Sequence, residues 1–226
     1  MSKPQKVLTI CLWIVVVVAM VSVLVLHTLP PGRQSLAAEP AVVLPTAAPT
    51  DQPPPVFFDV PSFTLINQDG KPQSGAQLLG HPWVADFIYT TCATQCPLMS
   101  LKMQSLQQQL PADVKLVSFS VDPEHDTPAV LADYAGRYHA QPGRWIFLTG
   151  QAKQVSQAIA GMKVGVIPAQ ADNPIQHDVH FILVDGWGRV RGAYDSGVAA
   201  QIDQLVADAR RIDTEHDAAG WAGAGR

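Results

Sequence analysis

Residues 83–97 read WVADFIYTTCATQCP, and this stretch decides the fold. Its first seven residues are mainly apolar and rich in strand formers, which predicts a short strand over 83–89. A Thr/Cys loop follows. Pro97 suits the first turn of a helix, and Leu98, Met99, Leu101, Met103, Leu106 and Leu110 carry that helix over 97–110. Cys92 and Cys96 therefore stand where a strand ends and a helix begins.

The alternation continues outward. Residues 115–121 (KLVSFSV) predict the next strand, and Thr127 caps a helix that opens on Pro128 and runs to Tyr138. A third strand is expected over 145–148 and a third helix over 151–162. Residues 179–184 and 190–194 then form a hairpin around Asp185-Gly186-Trp187-Gly188, and 199–211 close the domain as a helix. A further hairpin is expected ahead of the core over 63–71, turning at Asp69-Gly70. The order is that of an α/β domain. The late hairpin makes its central sheet mixed, and a thioredoxin-like three-layer architecture follows.

The chain has 226 residues, a formal net charge of -4 and only 15% charged residues, which excludes a basic nucleic-acid binder. Residues 8–26 (LTICLWIVVVVAMVSVLVL) contain no charge, and at about 1.5 Å rise per residue they nearly span a hydrocarbon core of roughly 30 Å. Lys3 and Lys6 precede them, so residues 1–7 stay in the cytoplasm and the rest is exported. The rival is a cleaved signal peptide ending near Ser35-Leu36-Ala37, but this span exceeds the usual signal core of about 7–15 residues. Cys11 lies inside the span as a small, soft side chain facing lipid. Eight prolines between Pro30 and Pro55 mark 27–56 as a semi-extended tether. Residues 57–212 are the domain, and 213–226 read as a disordered tail.

Three cysteines are too few for a disulfide scaffold. A structural disulfide is the plain reading of Cys92 and Cys96 in an exported domain. Their place at a helix start offers two others, because that end carries partial positive charge and favours a thiolate. The pair can then cycle between dithiol and disulfide, or hold a soft metal ion. A metal needs a further ligand. His27 flanks the anchor and His216 lies in the tail, while His81, His125 and His139 suit solvated positions in loops or at helix ends. His177 and His180 remain, just before the strand FILVD. Two thiolates and one imidazole suit Cu(I), and Cu(II) with added ligands. Zinc wants four ligands and fits less well, and the haem-attachment pattern is absent.

The ordered segments DFIYTTCATQCPLM, SVDPEHDTPAVLADYAGRY, RWIFLTG and HDVHFILVDGWGRVRGAYD resemble the Sco (synthesis of cytochrome oxidase, SenC) family over 57–212. The resemblance implies a thioredoxin-like fold and one copper held by Cys92, Cys96 and a histidine. Counting back eleven residues from Gly188 makes that histidine His177, with His180 second. It further implies a membrane-anchored copper chaperone serving the dinuclear copper site of cytochrome c oxidase. The domain would lie in the periplasm, held by a single pass of the inner membrane. Its partners would be the oxidase's copper-site subunit and another copper chaperone or a thioredoxin-like reductant. A thiol-disulfide oxidoreductase using Cys92 and Cys96, with Cys92 attacking, is the alternative. Two departures stand out: Ala93 where many members have proline, and a turn without proline at 185–188. The acidic loop 122–126 reads either as a solvated loop before a helix or as a place where Asp122 tunes the copper loop. Trp83, Trp145 and Tyr134 read as core, and Trp187 as a candidate docking residue. A peroxide-reducing enzyme is disfavoured, because Tyr89 and Ala85 stand where peroxiredoxin-like proteins place threonine and proline.

Overall fold

A computed structural model describes residues 52–167, 175–177 and 179–218, together with Met20. The chain divides into two units, Met1–Pro40 and Ala41–Arg226. Apart from Met20, the first lies outside the described residues, and so does the apolar span 8–26. Among the described residues no helix is long and apolar enough to cross a membrane.

The second unit is built on one eight-stranded mixed sheet. Its strands are β1 (Phe58–Asp59), β2 (Thr64–Asn67), β3 (Pro72–Ser74), β4 (Trp83–Ile88), β5 (Lys115–Ser120), β6 (Trp145–Thr149), β9 (His180–Val184) and β10 (Arg189–Asp195). They lie in the order β1-β10-β9-β4-β5-β6-β2-β3, while β7 (Val166–Ile167) and β8 (Gln176–His177) form a separate two-stranded ribbon. The helices are α1 (Gln95–Gln109), α2 (Pro128–Arg137), α3 (Ala152–Gly161) and α4 (Ala199–Ala218). β4 pairs in parallel with β5 and antiparallel with β9, so it lies at the centre of the sheet. All six of its residues are buried, which explains its nearly continuous apolar run.

Alternation along β4 divides the core. Val84 and Ile88 face the side of α1, α2 and α4 with Met99, Met103, Leu131, Leu205 and Ala209. Trp83, Ala85 and Phe87 face the side of α3 with Val155, Ala158 and Ile159. Three layers result. Trp83, Trp145 and Tyr134 lie in these cores as expected. Both expected hairpins form, with Gly70 at φ 74° and Gly188 at φ 81° supplying the left-handed backbone their turns require. Thr127 caps α2 by accepting from the Val130 N–H at 3.4 Å.

The structure differs from expectation at the two ends of the domain. A register shift between Val190 and Gly192 takes Arg191 out of the β9–β10 pairing, and its guanidinium lies buried. It donates to Asp185 Oδ2 (2.8 Å), to Glu215 Oε2 (3.0 Å) and, through Nε, to the Pro54 carbonyl (2.8 Å). This clamp draws Pro54, drawn above as tether, onto the domain. It also gives α4 a reason to continue to Ala218, well beyond the expected end at 211 and into the stretch drawn as tail. Trp187 is half-buried beneath the Arg189 guanidinium, 4.7 Å from the ring centre, and is not a freely presented aromatic. Arg191→Met removes one of the two countercharges on fully buried Asp185, the other being Arg189 at 2.8 Å, and the link to Glu215 and Pro54 with it. It should lower unfolding free energy by about 3 kcal/mol in urea titration, and a loss below about 1 kcal/mol would contradict the clamp.

Candidate metal and redox site

The site begins at the carboxyl end of β4. The chain turns sharply there, the Cys92 N–H donating to the Tyr89 carbonyl at 3.2 Å, and enters α1 at Gln95. Thr94, in the capping position, makes no side-chain cap bond. The free N–H near the helix start is instead taken by sulfur: the Cys96 N–H donates to Cys92 Sγ at 3.4 Å. Cys92 thus does the work of a capping oxygen, and the helix start repays it by favouring negative charge on sulfur.

The two cysteines are thiols with opposite character. Partial burial works against ionisation of Cys92, but the N–H groups of Cys96 and Thr94, and then the Cys96 thiol, outweigh it and bring its pKa down to about 7. Cys96 is fully buried, and burial first, then the neighbouring Cys92 and Asp86, push its thiol far above the usual range. One sulfur is therefore half-exposed and half-ionised near neutrality, and the other is a protonated reserve beneath it.

Three further residues shape the loop, and the sequence reading gave none of them this role. Asp126 is fully buried and accepts from Ser120 Oγ (2.6 Å), Thr90 Oγ1 (2.5 Å) and the Thr90 N–H (3.2 Å), which pins the residue two before Cys92. The loop 122–126 is thus tied to the cysteine turn and is not simply solvated. Asp86 lies fully buried in β4, and burial holds its carboxyl up to about 7. The Ser118 hydroxyl, opposite it across β4–β5, and its own N–H offset only part of that burial. Tyr89 donates to the Ile175 carbonyl at 3.3 Å. An acid inside an apolar strand was a readable signal for Asp86. Nothing local announces the partners of Asp126 and Tyr89, the latter 86 positions away.

The histidines separate. His177 lies in β8 with its backbone paired to Val166, two residues after the Ile175 that Tyr89 holds; its side chain is outside the described residues. His180 opens β9 opposite Asp195 and is half-buried. His125 is exposed and sits 2.8 Å from Asp122, which raises its pKa; Asp122 therefore already has a partner in the loop. His81 pairs with Asp113 at 3.3 Å, and the His139 carbonyl accepts from Gln107, both away from the cysteines. His27 and Cys11 lie outside the described residues, as does the His216 side chain at the end of α4. Among the described residues no three His, Cys, Asp or Glu side chains form a group able to hold a metal ion. The donor chemistry nevertheless fits a soft ion: two sulfurs at one helix start, with a histidine-bearing strand bonded to the same turn.

A thioredoxin-like domain with paired thiols at a helix start defines a protein of the thioredoxin-like class. The family described as SCO1/SenC matches residues 55–212, and the chain belongs to that family. It is 36% identical over 165 residues to the SCO1 protein homolog of Bacillus subtilis, covering 71% of this chain and 86% of that protein. The structure of BsSco, described as a Sco-family cytochrome c oxidase assembly protein with a disulfide switch, superposes with a TM-score of 0.64 at 35% identity. The match covers 72% of this chain and 97% of that one. Yeast Sco1 with copper bound superposes with a TM-score of 0.54 at 25% identity, covering 69% of this chain and 90% of that one. Sco homologues are thus copper-binding proteins linked to cytochrome c oxidase assembly.

The contrast between the cysteines is directly measurable. Only the thiolate is alkylated, so the iodoacetamide rate at Cys92 should fall about tenfold per pH unit below about 7 and level off above it. Peptide mass spectrometry should find Cys96 almost unlabelled throughout that range. A Cys92 midpoint near 8.5, the value of a free thiol, would contradict the helix-start stabilisation.

Proposed function

We propose that this protein is a membrane-anchored copper chaperone that delivers copper to the dinuclear copper site during cytochrome c oxidase assembly. Cys92, Cys96 and His177 hold the ion as cargo, with His180 the second choice for the imidazole. The observation that carries the proposal is the helix start at which both sulfurs meet the turn bonded to the His177 strand. A site of two thiolates and one imidazole leaves Cu(I) three-coordinate. An incoming ligand from the acceptor can then add before an old one leaves, and the ion passes across without being freed. Residues 8–26 anchor the chain in the inner membrane, and 27–56 give the periplasmic domain reach toward the oxidase's copper-site subunit or a second copper carrier.

The unlike cysteines favour a second reading, a thiol-disulfide oxidoreductase that keeps oxidase or carrier cysteines reduced. The Cys92 thiolate attacks a partner disulfide, forming a mixed disulfide and releasing one partner thiolate. Cys96 gives up its proton to water or partner and attacks Cys92 Sγ, which releases the second partner thiolate. The partner gains two electrons, and Cys92–Cys96 is left as a disulfide for a thioredoxin-like reductant to reopen. The two readings are compatible, since copper loading needs the dithiol.

Anaerobic Cu(I) titration of the reduced full-length chain, with a competing chelator, tests the proposal. One Cu(I) per chain is expected. Cys92→Ser and Cys96→Ser should abolish tight binding, and His177→Ala should weaken it by at least about tenfold while disulfide reduction continues. Loss of binding in His180→Ala with none in His177→Ala would move the ligand, and unchanged affinity in both would remove histidine from the site.

A further inference from the structure

We infer that Tyr89 is a positioning residue that fixes the histidine-bearing β7–β8 ribbon to the cysteine turn; this deepens the proposed copper site and rests on that reading. Tyr89 is bonded in two directions. Its backbone carbonyl accepts from the Cys92 N–H at 3.2 Å, and its hydroxyl donates to the Ile175 carbonyl at 3.3 Å. It stands three residues before Cys92, and Ile175 stands two before His177. One residue therefore joins the two segments that must meet at the metal, to one by its backbone and to the other by its hydroxyl.

The ribbon needs such a tie. It has two residues per strand, with Val166 paired to His177 and Ile167 to Gln176, and a ribbon that small does not hold itself in place. Ile175 packs at the edge of the core that contains Tyr89, and this apolar contact sets distance without setting direction. The hydroxyl–carbonyl bond supplies direction. Tyr89 is largely buried, which favours a partner within the protein for its hydroxyl, and the ribbon's backbone supplies one. Phenylalanine would fill the same space and keep the backbone bond to Cys92 while losing the bond to Ile175, so the hydroxyl is the part of the residue that holds the ribbon.

Tyr89→Phe in the full-length chain, kept in detergent, isolates that hydroxyl. In the metal-free protein, amide hydrogen exchange at 175–177 should speed up by about three- to tenfold, while β4 and α1 keep their protection. Cu(I) affinity should fall by a similar factor, and the same substitution in a His177→Ala background should cost clearly less. Unchanged exchange at 175–177 would overturn the inference. An equal loss of affinity with and without His177 would also overturn it, because Tyr89 would then act on the cysteines alone. Equal Cu(I) binding by the parent chain and His177→Ala would instead defeat the copper reading. In that event the exchange measurement still decides whether Tyr89 holds the ribbon.

Discussion

The hydrogen bond from the Cys96 N–H to Cys92 Sγ is the contact on which the site depends. A helix start leaves backbone donors without helical partners, and a polar side chain usually satisfies one of them. Here Thr94 makes no such bond, and sulfur takes its place. The substitution ties fold to chemistry. The donor that would otherwise be unmet at the start of α1 lowers the cost of the Cys92 thiolate, and α1 is placed by its own burial against central β4.

The environment then divides the labour between two residues of the same type. Cys92 lies half-exposed in the turn with N–H donors aimed at it. Cys96, one helical turn along, is sealed in the core beside β4, where burial and the nearby acid Asp86 oppose its ionisation. A protein that only needed a structural disulfide would have no use for this asymmetry. One that loads and releases a soft ion, or that passes electrons through a mixed disulfide, uses it directly: one sulfur engages the partner, and the second follows when the first has bound. Asp126, gathering Thr90 and Ser120, keeps the turn in register with the loop after β5.

Much of this was legible in sequence because it is local. The apolar run at 83–88, the leucine and methionine spacing of α1, the Thr127-Pro128 helix opening and the glycines of both hairpins each report on their own neighbours. The ends of the domain were not legible. Arg191 reaches Pro54 and Glu215 across 137 and 24 positions, and nothing in the local pattern of either announces it. The β7–β8 ribbon escaped notice because two residues per strand carry no periodicity. Tyr89 read as the last residue of a strand, since its ring belongs there; its hydroxyl acts on a segment 86 positions away. His177 was assigned through resemblance to a family, whose membership the match over 55–212 establishes.

The central claim is that this turn and this ribbon converge on one copper ion. X-ray absorption at the copper edge of the full-length chain, loaded with one equivalent of Cu(I) under reducing conditions, reads the ligand shell itself. Two sulfur neighbours and one nitrogen with the outer scattering of an imidazole ring are predicted, and His177→Ala should remove the imidazole signature while leaving both sulfurs. A shell of sulfur alone in the parent chain, or one with fewer than two sulfurs, would contradict it.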